Sequence, residues 1–291
     1  IMGPDVKKIR SCFVARPGHV LIEADYKSVE IVVLAEISGD DNLRADARGK
    51  IKLHAKVAVD ILKAPCSYEE VAKKYEYLYV ASKNLNFGIP YQRGAKAIAR
   101  QVNRETEGKA EMTYEQARQL IDDWYARYPG VAEYVNYCKW CVQNPPHTIS
   151  TPWGRVRHFY YSPSKSVMAA QEREAVNFPI QGTVADTLNV ALYNLWAYRR
   201  LHPAVKYDII LAIHDAVMLE VPIDCIEPVV EEVLPMCMRD GAEIPASSRS
   251  PKFKLDIDPT IMFRWGEEPD RETMESAGVP ERYWPAEKAV V

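Results

Sequence analysis

No run of apolar residues in the chain reaches the roughly 18 that a helix needs to span a bilayer, and the N-terminus lacks the charged-then-apolar pattern of a secretory leader. The sequence therefore reads as soluble and cytoplasmic, with no membrane partner. An excess of positive charge is also missing: 37 Lys and Arg stand against 40 Asp and Glu, a net charge of −3. No global field advertises a nucleic-acid partner, so any such site must be a local patch. The six cysteines, at 12, 66, 138, 141, 225 and 237, follow no regular framework, which excludes a disulfide scaffold and favours a reducing compartment. Internal repeats and low-complexity tracts are absent. With 47% hydrophobic and 26% charged residues, disorder, collagen and coiled coil are excluded as well. What remains is 291 residues of ordinary globular composition, enough for one large domain or two small ones. The chain opens at Ile1 rather than Met, and so reads as a piece of something longer or a processed product.

The pattern along the chain predicts sheet elements at both ends and helices between. Residues 19–24 form a β-rich run that delivers Asp25, and 28–37 switch to helical spacing, stopped at Gly39. Residues 50–64 and 68–89 read as two helices, closed by Pro65 and by Gly88 with Pro90. A third helix follows over 113–127, with Thr113 and Gln116 spaced as a capping box, then a turn at 128–130 and a helix to Gln143. Pro145 and Pro146 break the run, and 156–161 suggest a short strand or hairpin. Helices are expected over 166–177 and 183–201, a β-hairpin over 208–213 and 216–221 with Asp215 at its tip, a helix over 224–238 and an edge strand over 252–258. The last 26 residues read as loosely ordered. The fold class expected is α+β.

Asp25 and Asp215 each end an apolar strand. If those strands lie side by side, both carboxylates reach one sheet edge, where Mg²⁺ takes one or two carboxylates together with substrate phosphates. Alone, such residues serve equally well as turn caps. Lys83, Phe87 and Tyr91 recur every four residues, which places a cation and two rings near one helix face; an amphipathic helix with a snorkelling lysine has the same pattern. Cys138 and Cys141 make a plain helical pair, and the adjacent acids Asp40–Asp41 and Asp122–Asp123 read as solvated surface.

Four ordered stretches settle between these alternatives, because together they resemble the family A DNA polymerases of the bacterial DNA polymerase I type. Asp25-Tyr26-Lys27-Ser28-Val29-Glu30, with Leu34-Ala35 and Ser38-Gly39-Asp40, is similar to that family's first palm motif, and Lys83 with Asn86-Phe87-Gly88 and Tyr91 to its fingers helix. Tyr125 to Val131 and Thr151 to Arg157 resemble the segments leading back to the palm. Arg173, Asn177, Gln181-Gly182-Thr183 and Ala185-Asp186, then His214-Asp215, resemble the template-binding helix and second palm motif.

The resemblance implies an antiparallel palm sheet with helices and an inserted helical fingers subdomain. It divides the chain into palm at 1–65, fingers at 66–149, palm again at 150–265 and a tail at 266–291, with the thumb and any exonuclease upstream, on this chain's precursor or on another chain. It implies template-directed addition of deoxynucleotides to a primer 3′-hydroxyl, in replication or repair, in a bacterial or phage-infected cytoplasm. Two Mg²⁺ ions are implied at Asp25, Asp215 and the Tyr26 carbonyl. Lys83 would neutralise the triphosphate, and proton donation to the leaving pyrophosphate is open to it. Phe87, Tyr91 and Tyr26 would line the nucleotide site, Glu30 would exclude a ribose 2′-hydroxyl, and Arg155, Arg173, Asn177, Gln181 and His214 would contact template and primer.

Four residues depart from the pattern. Tyr79 stands where the family carries an arginine four residues before its lysine, Ile31-Val32 stand where Leu-Arg follows the glutamate, and Ala216 replaces the acid after His-Asp. These departures, with the missing thumb, motivate the rival expectation of a catalytically weakened DNA-binding remnant.

Overall fold

β1 (His19–Tyr26) alternates two kinds of residue, and the alternation decides its environment. Val20, Ile22, Ala24 and Tyr26 are all buried on one face. Leu21, Glu23 and Asp25 face the other way, where Leu21 packs with Met218, Met262 and Trp265. In the computed structural model, which describes residues 9–107, 109 and 111–284, β1 is an inner strand of a four-stranded antiparallel sheet. Its neighbours are β5 (Ala216–Pro222) and β6 (Ile257–Met262), while β4 (Asp208–Ile213) pairs with the far side of β5. Among the described residues no helix is long and apolar enough to cross a membrane.

Proximity along the backbone divides the chain into two compact units. One gathers the residues through Val29, 184–244 and those from 254 onward, and the other comprises 30–183 and 245–253. In the first, the Tyr26 hydroxyl donates to the Met238 carbonyl at 2.8 Å, fixing the segment 223–240 on the apolar face of β1. That segment was expected as one helix over 224–238. It forms instead a 3₁₀ turn, a single α turn and two π-helical stretches (Val229–Val233 and Pro235–Asp240), with Pro228 and Pro235 each removing an N–H from the ladder. The edge strand expected over 252–258 lies later, at Ile257–Met262, where Ile257 and Ile261 fall opposite Tyr26 and Ile22 on the buried face. Pro259 is tolerated inside it because β6 is an edge. The expected loose tail contains a helix, Arg271–Ser276, capped by the Asp270 carboxylate, which accepts from Thr273 N at 2.7 Å. Residues 285–291 lie outside the described residues.

The second unit is helical: α1 (Val29–Ser38), α2 (Asp41–Arg48), α3 (Leu53–Asp60), α4 (Val71–Lys74), α5 (Glu76–Gly88), α6 (Ala95–Glu105), α7 (Tyr114–Arg127) and α8 (Pro129–Gln143), then a small hairpin of β2 (Thr148–Ser150) and β3 (Val156–His158). The Thr113–Gln116 capping box forms as expected. The helix expected over 68–89 is two, because Tyr75 leaves helical geometry at φ −133°, ψ 51°. The helix expected over 50–64 is confined to Leu53–Asp60. Asp40 is not solvated surface: it is buried, accepting from Leu43 N at 2.8 Å as the cap of α2 and from Gly130 N at 2.7 Å.

The two helices expected over 166–177 and 183–201 are one, α9 (Lys165–Leu201), with Pro179 inside it. A proline normally breaks a helix by deleting one N–H and crowding the carbonyl four residues back. Here that residue is Ala175, and side chains occupy neighbouring carbonyls: Thr183 Oγ1 donates to Pro179 O at 2.6 Å and the Tyr134 hydroxyl to Val176 O at 3.0 Å.

A buried acid joins three helices of this unit. Asp46 receives Lys56 Nζ at 2.6 Å, Arg127 Nη2 at 2.9 Å and the Tyr128 hydroxyl at 2.9 Å. Burial alone would raise its pKa, but Lys56, Arg127 and Tyr128 together hold it below the ordinary carboxylate value. Asp46→Asn is expected to cost about 2–4 kcal/mol near neutral pH, because it strands two half-buried cations. Since the folded pKa is depressed, the stabilisation is complete above about pH 4 and lost as pH falls through the folded value. Urea melts of both proteins at pH 7 and pH 3 should therefore differ less at the lower pH.

Candidate active site

Register, more than sequence proximity, assembles the acidic edge. Asp25 pairs with Ala216 on β5 and Asp258 on β6, and Tyr26 N lies 3.4 Å from Asp215 O. Asp215 and His214 form the two-residue loop between β4 and β5, so the hairpin carries Asp215 to the end of the strand beside Asp25. Backbone strain brackets the pair: Ser28 and His214 hold φ of 47° and 52°, in the left-handed region where such residues are uncommon.

The electrostatics of this edge are unbalanced. Partial burial, the Asp215 charge and then Glu23 push Asp25 up to about 6, with the Tyr26 backbone N–H opposing the rise and Asp258 adding to it. Asp258 meets Lys27 at 3.6 Å across an exposed pair, which compensates little. A concentration of oxygen donors with unneutralised negative charge fits a hard divalent cation. Among the described residues no three His, Cys, Asp or Glu side chains form a metal cage, and Mg²⁺ does not ask for one, since it retains waters and substrate phosphates.

In the helical unit, two constellations gather residues singled out from the sequence. Glu30, in the first turn of α1, and Gln181, on α9, both lie beside the Tyr91 phenol. That hydroxyl is buried without a hydrogen bond of ordinary geometry. Burial first, and the Glu30 carboxylate second, keep it firmly protonated. Because α9 is continuous, Arg173, Asn177 and Gln181 fall at successive fourth residues along one stripe. Arg173 and Gln181 are exposed, whereas the Asn177 Oδ1 is buried without a hydrogen-bond partner. Arg155 reaches the same helix: a Cβ on Gly182 would stand 3.9 Å from its Cδ and 2.8 Å from Thr151 Cγ2, so only glycine admits the 151–155 turn at this distance.

The second constellation surrounds Lys83. Its ammonium sits 5.0 Å from the centre of the Tyr79 ring, a cation–π contact. Tyr79 in turn packs on Ala55, Ala58, Ala64 and Val71 and meets the His54 ring edge-on at 6.0 Å. Burial, then Lys83 and Lys52, push His54 down to about 4, so the imidazole is neutral. Sequence reasoning passed over His54, because nothing in its spacing links it to position 83; α3 and α5 do so only by packing. The backbone of Phe87 is helical within α5, while its side chain lies outside the described residues.

The chain is similar to known proteins over most of its length. The family model described as DNA polymerase family A matches residues 1–267. DNA polymerase I of Chloroflexus aurantiacus is 33% identical over 223 residues, covering 76% of this chain and 22% of that protein. DNA polymerase I of Pseudomonas aeruginosa is 29% identical over 232 residues, covering 79% and 24%. A solved structure titled as the POL domain of Pol1 from M. smegmatis in complex with DNA primer-template and dNTP superimposes with a TM-score of 0.73 at 25% identity, over 91% of this chain and 43% of that one. The chain thus spans about a quarter of the length of the curated relatives it matches.

Proposed function

The chain belongs to DNA polymerase family A, and from that premise we propose that it is the nucleotidyl-transferring part of a DNA-directed DNA polymerase. The observation that carries the proposal is the β1–β5 register, which sets Asp25 beside the Asp215 turn. In the proposed reaction the primer 3′-oxygen bonds to the α-phosphorus of a deoxynucleoside triphosphate as the bond to pyrophosphate breaks. Asp25, Asp215 and the Tyr26 carbonyl would hold two Mg²⁺ ions, whose chemistry when bound is to stabilise charge on the attacking and leaving oxygens. Lys83 and His54 take the triphosphate. Phe87 and Tyr91 pack on the nucleotide, Glu30 limits the sugar, and Arg155, Arg173, Asn177, Gln181 and His214 position template and primer.

Tyr79 and Ala216 favour a second reading, a weakened DNA-binding remnant, since each replaces a charged group of the family pattern. Primer extension separates the two: with Mg²⁺ and four deoxynucleotides, at high enzyme-to-DNA ratio, chain growth abolished by EDTA is expected. DNA bound without extension, including after addition of an upstream portion, would establish the remnant.

A graded test follows from Tyr79. Tyr79→Arg adds a charge-assisted donor one helical turn before Lys83, and is expected to lower the apparent KM for deoxynucleotide about tenfold. Single-turnover titration reads this directly, and an unchanged KM would argue that the triphosphate lies elsewhere.

A further inference from the structure

Asn86, on α5, and Trp124, on α7, are fully buried, and together they decide the proton position on His54. The indole N–H can donate but not accept, so its 3.2 Å contact with Asn86 Oδ1 fixes which end of the amide faces the tryptophan. The amide nitrogen then falls on the other side, 3.0 Å from His54 Nδ1. An amide N–H only donates, so Nδ1 must be the acceptor, and a neutral imidazole that accepts at Nδ1 carries its proton on Nε2. We infer that Trp124 and Asn86 are positioning residues that hold His54 as its Nε2–H tautomer, so that beside Lys83 it presents a donor to the triphosphate of the incoming nucleotide.

Tyr79 gives the tautomer its weight in this chain. The ring at position 79 holds the Lys83 ammonium but offers no cation of its own, so a polyanion arriving there depends more heavily on whatever else donates. A lone pair at Nε2 would repel phosphate oxygens, whereas an N–H attracts them. The charges acting on the ring are Lys83, on α5, and Lys52, just before α3, and with burial they oppose a second proton. In the free protein the imidazole is therefore neutral at neutral pH, and the tautomer sets the sign of its first interaction with an arriving phosphate oxygen. The inference rests on the reading of Lys83 as a triphosphate ligand.

The test is ring ¹⁵N NMR on the whole chain at pH 7, with His54 assigned as the one of six histidine signals lost in His54→Gln. The wild type is expected to show the Nε2–H pattern. Asn86→Asp replaces the amide donor with an acceptor, which moves the proton to Nδ1 and leaves a lone pair at Nε2. Deoxynucleotide KM should rise about tenfold, with kcat changing less. Trp124→Phe, which frees the amide to turn, should give a mixture of tautomers and covers the case in which Asn86→Asp does not fold. An Nδ1–H pattern in the wild type, or an unchanged ring in both variants, overturns the inference. A switched tautomer with unchanged KM overturns its link to the triphosphate. Absence of primer extension in a wild type with the expected tautomer would instead sink the polymerase reading, leaving the proton position established.

Discussion

Asp25→Ala and Asp215→Ala are each expected to lower nucleotide incorporation at least about a thousandfold, equivalent to about 4 kcal/mol of transition-state stabilisation, while the circular dichroism and cooperative melt persist. Both side chains stand at a polar sheet end, and neither carries a hydrophobic contact of the core that Val20, Ile22, Ala24 and Tyr26 build on the opposite face. Removing either leaves that packing intact. What is lost is half of the carboxylate pair, and Ala216 offers no acid to take its place. Wild-type rates in either variant would overturn the metal assignment.

The Asp25→Asn variant separates function from stability more sharply. In the metal-free protein Asp25 titrates at about 6, above its ordinary 3.8, because burial and Asp215 disfavour its charge. A raised carboxylate pKa makes the ionised form a penalty, fully present above the folded value and absent below the unfolded one. Asn carries no such charge. Asp25→Asn should therefore melt higher than the metal-free wild type at pH 8, by about 2 °C once solvent screening at this open edge is discounted, and show no gain at pH 4. A variant both more stable and inactive identifies a side chain retained for chemistry. If Asp25 holds Mg²⁺ as proposed, metal and proton compete for it, so incorporation should decline below about pH 6 at limiting Mg²⁺, and the decline should move to lower pH as Mg²⁺ is raised.

The two halves of the acidic edge were legible in the sequence because each is set locally, although the strand pairing that joins them is not. Apolar strands of period two end on Asp25 and at the His214-Asp215 turn, and a two-residue loop between strands admits little but a hairpin. Legibility failed where a long-range contact overrides a local signal. Pro179 reads as a helix break, but the Thr183 and Tyr134 hydroxyls occupy carbonyls around it, and the Tyr134 contact spans 42 positions, beyond any local window. That error concealed a useful alignment, since only an unbroken α9 places Arg173, Asn177 and Gln181 on one stripe. Asp40 reads as solvated because adjacent acids usually are, yet Gly130 reaches it across ninety positions. His54 carried no periodic signal at all. It enters through the Trp124–Asn86 chain of hydrogen bonds, which joins three helices.

Glu30→Ala should lower the preference for deoxyribonucleotides over ribonucleotides by about 10- to 100-fold, or about 1.4 to 2.7 kcal/mol. Sequence resemblance supplies the role; the geometry supplies its setting. Glu30 stands in the first turn of α1, where the helix N-terminus favours a carboxylate, and it lies beside a Tyr91 phenol that burial keeps protonated. In the proposed role, a carboxylate set in the first turn of α1 beside the buried phenol would exclude a 2′-hydroxyl by its bulk. Alanine removes both the bulk and the acceptor beside Tyr91. Tyr91→Phe removes only the hydroxyl, already without an ordinary hydrogen bond, and should retain most of the discrimination. The ordering matters more than either value: if selectivity depended chiefly on the phenol, Tyr91→Phe would match Glu30→Ala, and the gate would belong to the tyrosine. Competition between ATP and dATP at one templated position, scored for both variants, distinguishes these outcomes, and equal discrimination in wild type and Glu30→Ala would remove the glutamate from the sugar site.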